Sequence, residues 1–128
     1  MTFLDASVLL AAEDRDDKNH PAAIRLLESG SDLATLDLAA YETANVAIAR
    51  WRDEDAAARL SERVFAIGRL GTLVRADAEL ISNAVAIAAE HGISAYDAAY
   101  VAGARSLNGQ LVSCDERDLV SRDLALLP

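Results

Sequence analysis

Apolar and polar positions in this 128-residue chain group into blocks of two lengths, and each length predicts a different element. The short blocks, Thr2–Leu4, Asp32–Thr35, Thr72–Val74 and Gln110–Ser113, predict four brief strands. The long blocks repeat their apolar residues at helical spacing. They predict helices over about Ser7–Ala12, from Pro21 to just before Gly30, and over Leu38–Trp51, Glu54–Gly68, Asp77–His91 and Ala95–Leu107, with a last one over Glu116–Arg122. The punctuation agrees: Asn19 or His20 precedes Pro21, Asp53 precedes Glu54, Gly92 follows His91, and Asn108-Gly109 follows Leu107. Ile24 and Leu27, with Ala23 and Leu26, make an apolar stripe on one helix; Leu80, Ala84, Ile87 and Ala88 make another. Strand alternates with helix throughout. The fold class is therefore α/β, a short and mainly parallel central sheet flanked by helices, with residues 1–128 forming a single domain.

Composition narrows the function classes. Hydrophobic residues at 52% and charged residues at 26% suit a soluble globular protein. No apolar run reaches the length of a membrane span, and no signal-peptide pattern opens the chain, so the expectation is a cytoplasmic protein with no membrane partner. The single cysteine, Cys114, excludes an intramolecular disulfide and fits a reducing compartment. With two histidines and one cysteine a zinc cage is improbable, which leaves oxygen ligands and a hard cation such as Mg²⁺ or Mn²⁺ for any metal chemistry. The net charge of −9 argues against nucleic acid as a partner, but its distribution is uneven. From Arg50 to Arg75, six arginines face Asp53, Glu54, Asp55 and Glu62. That segment is locally positive.

Four acidic residues stand out by position. Asp5 and Asp115 each lie where a strand hands over to a helix; Asp97 lies in a first helical turn, on the stripe it shares with Val101 and Ala104. Glu42 is mid-helix, with Asn45 one turn later on the same side. Taken singly, each has a simpler use. Asp5 and Asp115 can cap helices, Asp97 can complement a helix dipole, and Glu42 can be solvated or salt-bridged. Those uses do not explain why several acids gather at one end of a sheet, where ligands of open parallel sheets bind. Gathered carboxylates repel one another unless a cation neutralises them. A carboxylate-held divalent cation suits phosphoryl chemistry, and no serine-hydrolase elbow, phosphate loop or HExxH motif competes with it. The residues alone lead to a metal-dependent phosphodiester or phosphate hydrolase and stop there. A haloacid-dehalogenase-type phosphatase also begins with a strand and an Asp, but wants a second Asp where this chain has Ser7.

Asp5-Ala6-Ser7, Glu42-Thr43-Ala44-Asn45, Ser94-Ala95-Tyr96-Asp97-Ala98 and Ser113-Cys114-Asp115 together resemble the four motifs of the PIN-domain nucleases. In size and spacing the chain is most similar to the VapC toxins of type II toxin–antitoxin pairs, from Thr2 to about Leu119. The resemblance implies a PIN-like three-layer α/β/α fold and an endoribonuclease dependent on Mg²⁺, with Mn²⁺ able to substitute. It implies Asp5, Glu42, Asp97 and Asp115 as catalytic residues, with Asp5, Asp97 and Asp115 on the metal. Ser7 and Ser113 would support the carboxylates and Asn45 would orient Glu42, while Asp118 would be a supporting contact or a surface acid. Implied partners are an RNA substrate, a second copy in a homodimer, and a cognate VapB-type antitoxin that inserts a peptide segment into the site. From a different class, an inactive PIN-like module acting only by binding a protein partner is the alternative.

Other residues carry weaker expectations. Arg50, Arg52, Arg59, Arg63 and Arg69 suit phosphate contact, or salt bridges with Glu54, Asp55 and Glu62. Trp51 and Phe65 suit core or dimer packing better than base stacking, and His20 and His91 suit helix ends. Cys114 is expected beneath the site and not as a nucleophile.

Overall fold

The computed structural model describes residues 1–128. Four strands, β1 (Thr2–Leu4), β2 (Leu33–Leu36), β3 (Thr72–Val74) and β4 (Gln110–Val112), form one parallel sheet in the order β3-β2-β1-β4. Six helices surround it: α1 (Ala6–Glu13), α2 (His20–Glu28), α3 (Leu38–Val46), α4 (Glu54–Leu70), α5 (Ala78–His91) and α6 (Ala95–Ser106). The α/β expectation holds, and the expected strands differ from the observed ones by one residue at most.

Strand order decides where a site can lie. From β1 the chain steps one way to β2 and β3, then returns to place β4 on the other side of β1. Leu4 therefore pairs with Thr35 on one side and with Val112 on the other. The carboxyl ends of β1 and β4 flank the crevice where the winding reverses, the usual ligand position in such sheets.

Phe3, Leu4, Val8, Leu9, Leu36, Leu60 and Val64 are fully buried around the sheet. Leu80, Ala84 and Ile87 are buried on α5, as their spacing predicted, with Ala88 half-buried beside them. Helix α6 lies close against β1 because Gly103 carries no side chain: a Cβ there would meet Phe3 Cζ at 2.6 Å. No helix is long and apolar enough to cross a membrane.

Two expectations need correction. The helix expected over Leu38–Trp51 is α-helical only to Val46, and Ala47–Trp51 widen into a π-helical turn before Arg52 turns left-handed at φ 53°. The helix expected over Glu116–Arg122 does not form. The Asp115 side chain accepts the Asp118 N–H at 2.9 Å, and the N–H groups of Val120 and Ser121 reach back five residues to Asp115 and Glu116. Only a 3₁₀ turn at Val120–Arg122 follows, and Asp123 then takes φ 58°. The tail comes back to the sheet, with Leu126 bonded to Leu111 and Ser113 at 2.9 Å each. Local side-chain bonds and the burial of Leu119 and Ala125 override the weak helical signal there.

Candidate active site

Asp5 follows β1 directly and is the N-cap of α1, so the capping role and a place at the sheet's carboxyl edge coincide. It is only 5% exposed. Its Oδ1 accepts from the Ser7 hydroxyl at 2.5 Å, the Ser7 N–H at 3.0 Å and the Val8 N–H at 3.3 Å. Its Oδ2 accepts from the Ser113 hydroxyl at 2.5 Å. Both serines are tied to the strand end of β4 as well: Ser7 Oγ accepts the Cys114 N–H at 2.8 Å, and Ser113 Oγ accepts the Asp115 N–H at 2.9 Å. Desolvation outweighs these four donors and pushes the Asp5 carboxyl up to about 6.

Asp115 occupies the corresponding edge of β4, and its side chain caps the following turn through Asp118. Asp97 enters from α6, one turn after the N-cap Ser94, whose hydroxyl accepts the Asp97 N–H at 3.0 Å. Burial raises the Asp97 carboxyl, and the nearby Asp115 and Asp118 raise it further. Glu42 projects from α3, half-buried; burial lifts its pKa, and Asp5 and Asp97 add to the lift.

These side chains meet in one cleft of about 280 Å³, lined by Asp5, Ser7, Glu42, Asn45, Asp97 and Asp115 together with Ala6, Leu10, Val46 and Tyr100. All four acids expected from the sequence therefore face a common space. Asn45 lines it, but the hydrogen bond that Glu42 accepts comes from Tyr100 Oη at 2.8 Å. Tyr100 was not among the residues singled out. Its signal was present, since it lies three positions after Asp97 and so on the same face of α6. Asp118 is drawn in more closely than expected: carboxylate oxygens of Asp97, Asp115 and Asp118 all lie within 4.8 Å of one another.

This donor set fits a hard divalent cation. The ligands are oxygens, no histidine or cysteine lines the cleft, and the spacing lets one ion with bonds of about 2.1 Å draw the three carboxylates together. Burial raises Asp5, Glu42 and Asp97, and neighbouring carboxylates add to the rise for Glu42 and Asp97, so a cation among them would relieve both costs. No arginine or lysine lines the cleft.

A sequence profile described as the PIN domain matches residues 2–123. The chain belongs to the PIN-domain family. Among PIN-domain relatives it is 35% identical to Ribonuclease VapC3 of Pyrobaculum aerophilum, over 97% of this chain and 95% of that protein. The fold superimposes on Mycobacterium tuberculosis VapC20, described as a sarcin-ricin loop cleaving toxin, with a TM-score of 0.78 and 21% identity, covering 91% of this chain and 92% of that one. A toxin–antitoxin complex from Klebsiella pneumoniae contains a chain of the same fold, with a TM-score of 0.72 and 16% identity over 100% and 98% of the two chains. The four motifs read from the sequence thus belong to a PIN domain of VapC type.

The remaining candidates fall elsewhere. Arg59 and Arg63 pair with Glu13, at 2.6 and 3.7 Å, and Arg69 pairs with Glu62. Glu13 is a partner the sequence did not suggest. Trp51 and Phe65 do not line the cleft, and Phe65 is 47% exposed. His20 Nδ1 lies 2.8 Å from the Ala11 carbonyl, an anchor for the start of α2. Burial, with Asp5 nearby, pushes the Cys114 thiol up to about 11, so it is no nucleophile at neutral pH.

Proposed function

We propose that this protein is an endoribonuclease, the toxin of a type II toxin–antitoxin pair, dependent on Mg²⁺ with Mn²⁺ able to substitute. The observation that carries the reading is the meeting of Asp5, Glu42, Asp97 and Asp115 in one cleft of a PIN-domain chain. Its 35% identity to a ribonuclease supports RNA as the substrate class. Residues 1–128 act as a single PIN domain in the cytoplasm.

Asp5, Asp97 and Asp115 would hold the cation, and the position of Asp118 supports it as a further ligand. A divalent cation bound there would neutralise the carboxylates and supply Lewis-acid activation of the phosphodiester and of water. Glu42, whose carboxyl is already lifted, takes the proton of the attacking water. Water oxygen bonds to phosphorus as the bond to the 3′ oxygen breaks, and the departing 3′ oxygen takes a proton from solvent, leaving a 5′-phosphate and a 3′-hydroxyl. Ser7 and Ser113 keep the Asp5 carboxylate fixed through the cycle. The protein works as a homodimer and is silenced by a VapB-type antitoxin, whose inserted segment would occupy the cleft.

The test is cleavage of total cellular RNA by the wild type and Asp97→Asn, with Mg²⁺, with Mn²⁺ and with EDTA. Discrete metal-dependent fragments, absent with the mutant and carrying 5′-phosphates, are the expected result. Absence of both cleavage and Mn²⁺ binding would replace the nuclease by an interaction module.

A further inference from the structure

Glu42 and Tyr100 stand on different helices, α3 and α6, both line the cleft, and a hydrogen bond of 2.8 Å joins them. We propose that Tyr100 is a positioning residue: its phenol fixes one oxygen of Glu42 and leaves the other free to face the reacting phosphodiester. This deepens the nuclease reading and rests on it, since it concerns how Glu42 is aimed.

Three observations support the assignment. The Tyr100 ring is 2% exposed, so the phenol is delivered from the rigid core and not from a mobile surface. It sits on the helix that Gly103 brings close against β1, which ties its position to the strand that presents Asp5. Burial, and then the Glu42 carboxylate beside it, drive the phenol's pKa upward, so Tyr100 stays protonated and donates at every working pH. Glu42 needs such a partner. A glutamate has three rotatable side-chain bonds, and Oε1 accepts from Tyr100 while Oε2 has no protein donor. Asn45, one turn along α3, lines the cleft without holding it.

A merely structural tyrosine would satisfy its own hydroxyl and do nothing more, so the test separates the two roles. Tyr100→Phe keeps the ring and removes the donor. In single-turnover cleavage of RNA it is expected to lower the rate roughly 10- to 100-fold with KM unchanged. In a Glu42→Asp background, where the shortened side chain no longer reaches the phenol, the same change is expected to have no effect. A second readout needs no activity. With Tyr41 and Tyr96 replaced by Phe, Tyr100 is the sole tyrosine, and its Raman doublet reports whether the phenol donates to a carboxylate. Glu42→Ala is expected to abolish that donor signature. An unchanged doublet would overturn the clasp, and a full cleavage rate in Tyr100→Phe, or an equal loss in both backgrounds, would overturn the positioning role. If the wild type cleaves no RNA, the nuclease reading and the aiming role fall together, while the doublet still decides whether the two side chains are bonded.

Discussion

The Ser113 hydroxyl donates to Asp5 Oδ2 at 2.5 Å, joining residues 108 positions apart at the edges of neighbouring strands. Ser113 Oγ in turn accepts the Asp115 N–H at 2.9 Å, so one small side chain orders two of the four acids. Ser113 is fully buried. Ser113→Ala leaves a carboxylate oxygen and an amide without their partner and is expected to cost about 1–3 kcal/mol of stability in urea denaturation. A variant as stable as the wild type would mean that water replaces the hydroxyl at no cost.

Asp5 should make the metal-free protein sensitive to pH in an unusual direction. Its carboxyl lies at about 6 in the folded state against 3.8 for the free group, so the fold binds this proton more tightly than the unfolded chain does. Ionising Asp5 therefore weakens the fold. The penalty is absent below about pH 4, builds up between about pH 4 and 6, and is complete above that range, at up to ~3 kcal/mol. In EDTA, Asp5→Asn is expected to melt higher than the wild type at neutral pH, to lose that advantage near pH 4, and to be inactive. Parallel melting curves across the range would contradict the burial of a charge at this position.

The grouping of Asp97, Asp115 and Asp118 makes a prediction about metal affinity. Mn²⁺ at about 100 times its Kd should stabilise the wild type by ~2.7 kcal/mol, visible as a rise in Tm. Asp118→Asn is expected to weaken Mn²⁺ binding roughly 10- to 100-fold by calorimetry. Wild-type affinity in that variant would leave Asp118 as a surface acid that happens to receive the cap of Asp115.

Gly103 sets the distance between α6 and β1. Beyond the ring of Phe3, an added Cβ would also meet Leu36 Cδ2 at 3.0 Å. Both are buried side chains with little room to yield. Gly103→Ala is expected to destabilise by about 1–3 kcal/mol, measured by chemical denaturation, and to displace the helix that carries Asp97 and Tyr100. Unaltered stability and activity would show that the helix has slack.

Asp5, Asp97 and Asp115 were legible because their signals are local: a strand running into an acid, or an acid in a first helical turn. The register of β1 against β4 then brings two of those signals side by side. Tyr100 could be placed on the Asp97 face of α6, but its bond to Glu42 was not legible, because that partner lies 58 positions away. Asp118 was ambiguous for a similar reason: its position depends on a turn that replaces the expected helix at Glu116–Arg122. The π-helical turn after Val46 also escaped notice, since its residues are as apolar as those of the α-helix they extend.

The placement of β1 between β2 and β4 has a consequence for the order of events during synthesis. The first strand made needs, on one side, a neighbour that is translated more than 100 residues later. Until β4 has emerged, Asp5 lacks Ser113 and the cleft lacks Asp115. The acids of the cleft therefore cannot converge while β1 has only β2 beside it, and the last strand to pair with β1 is also the one that completes their grouping.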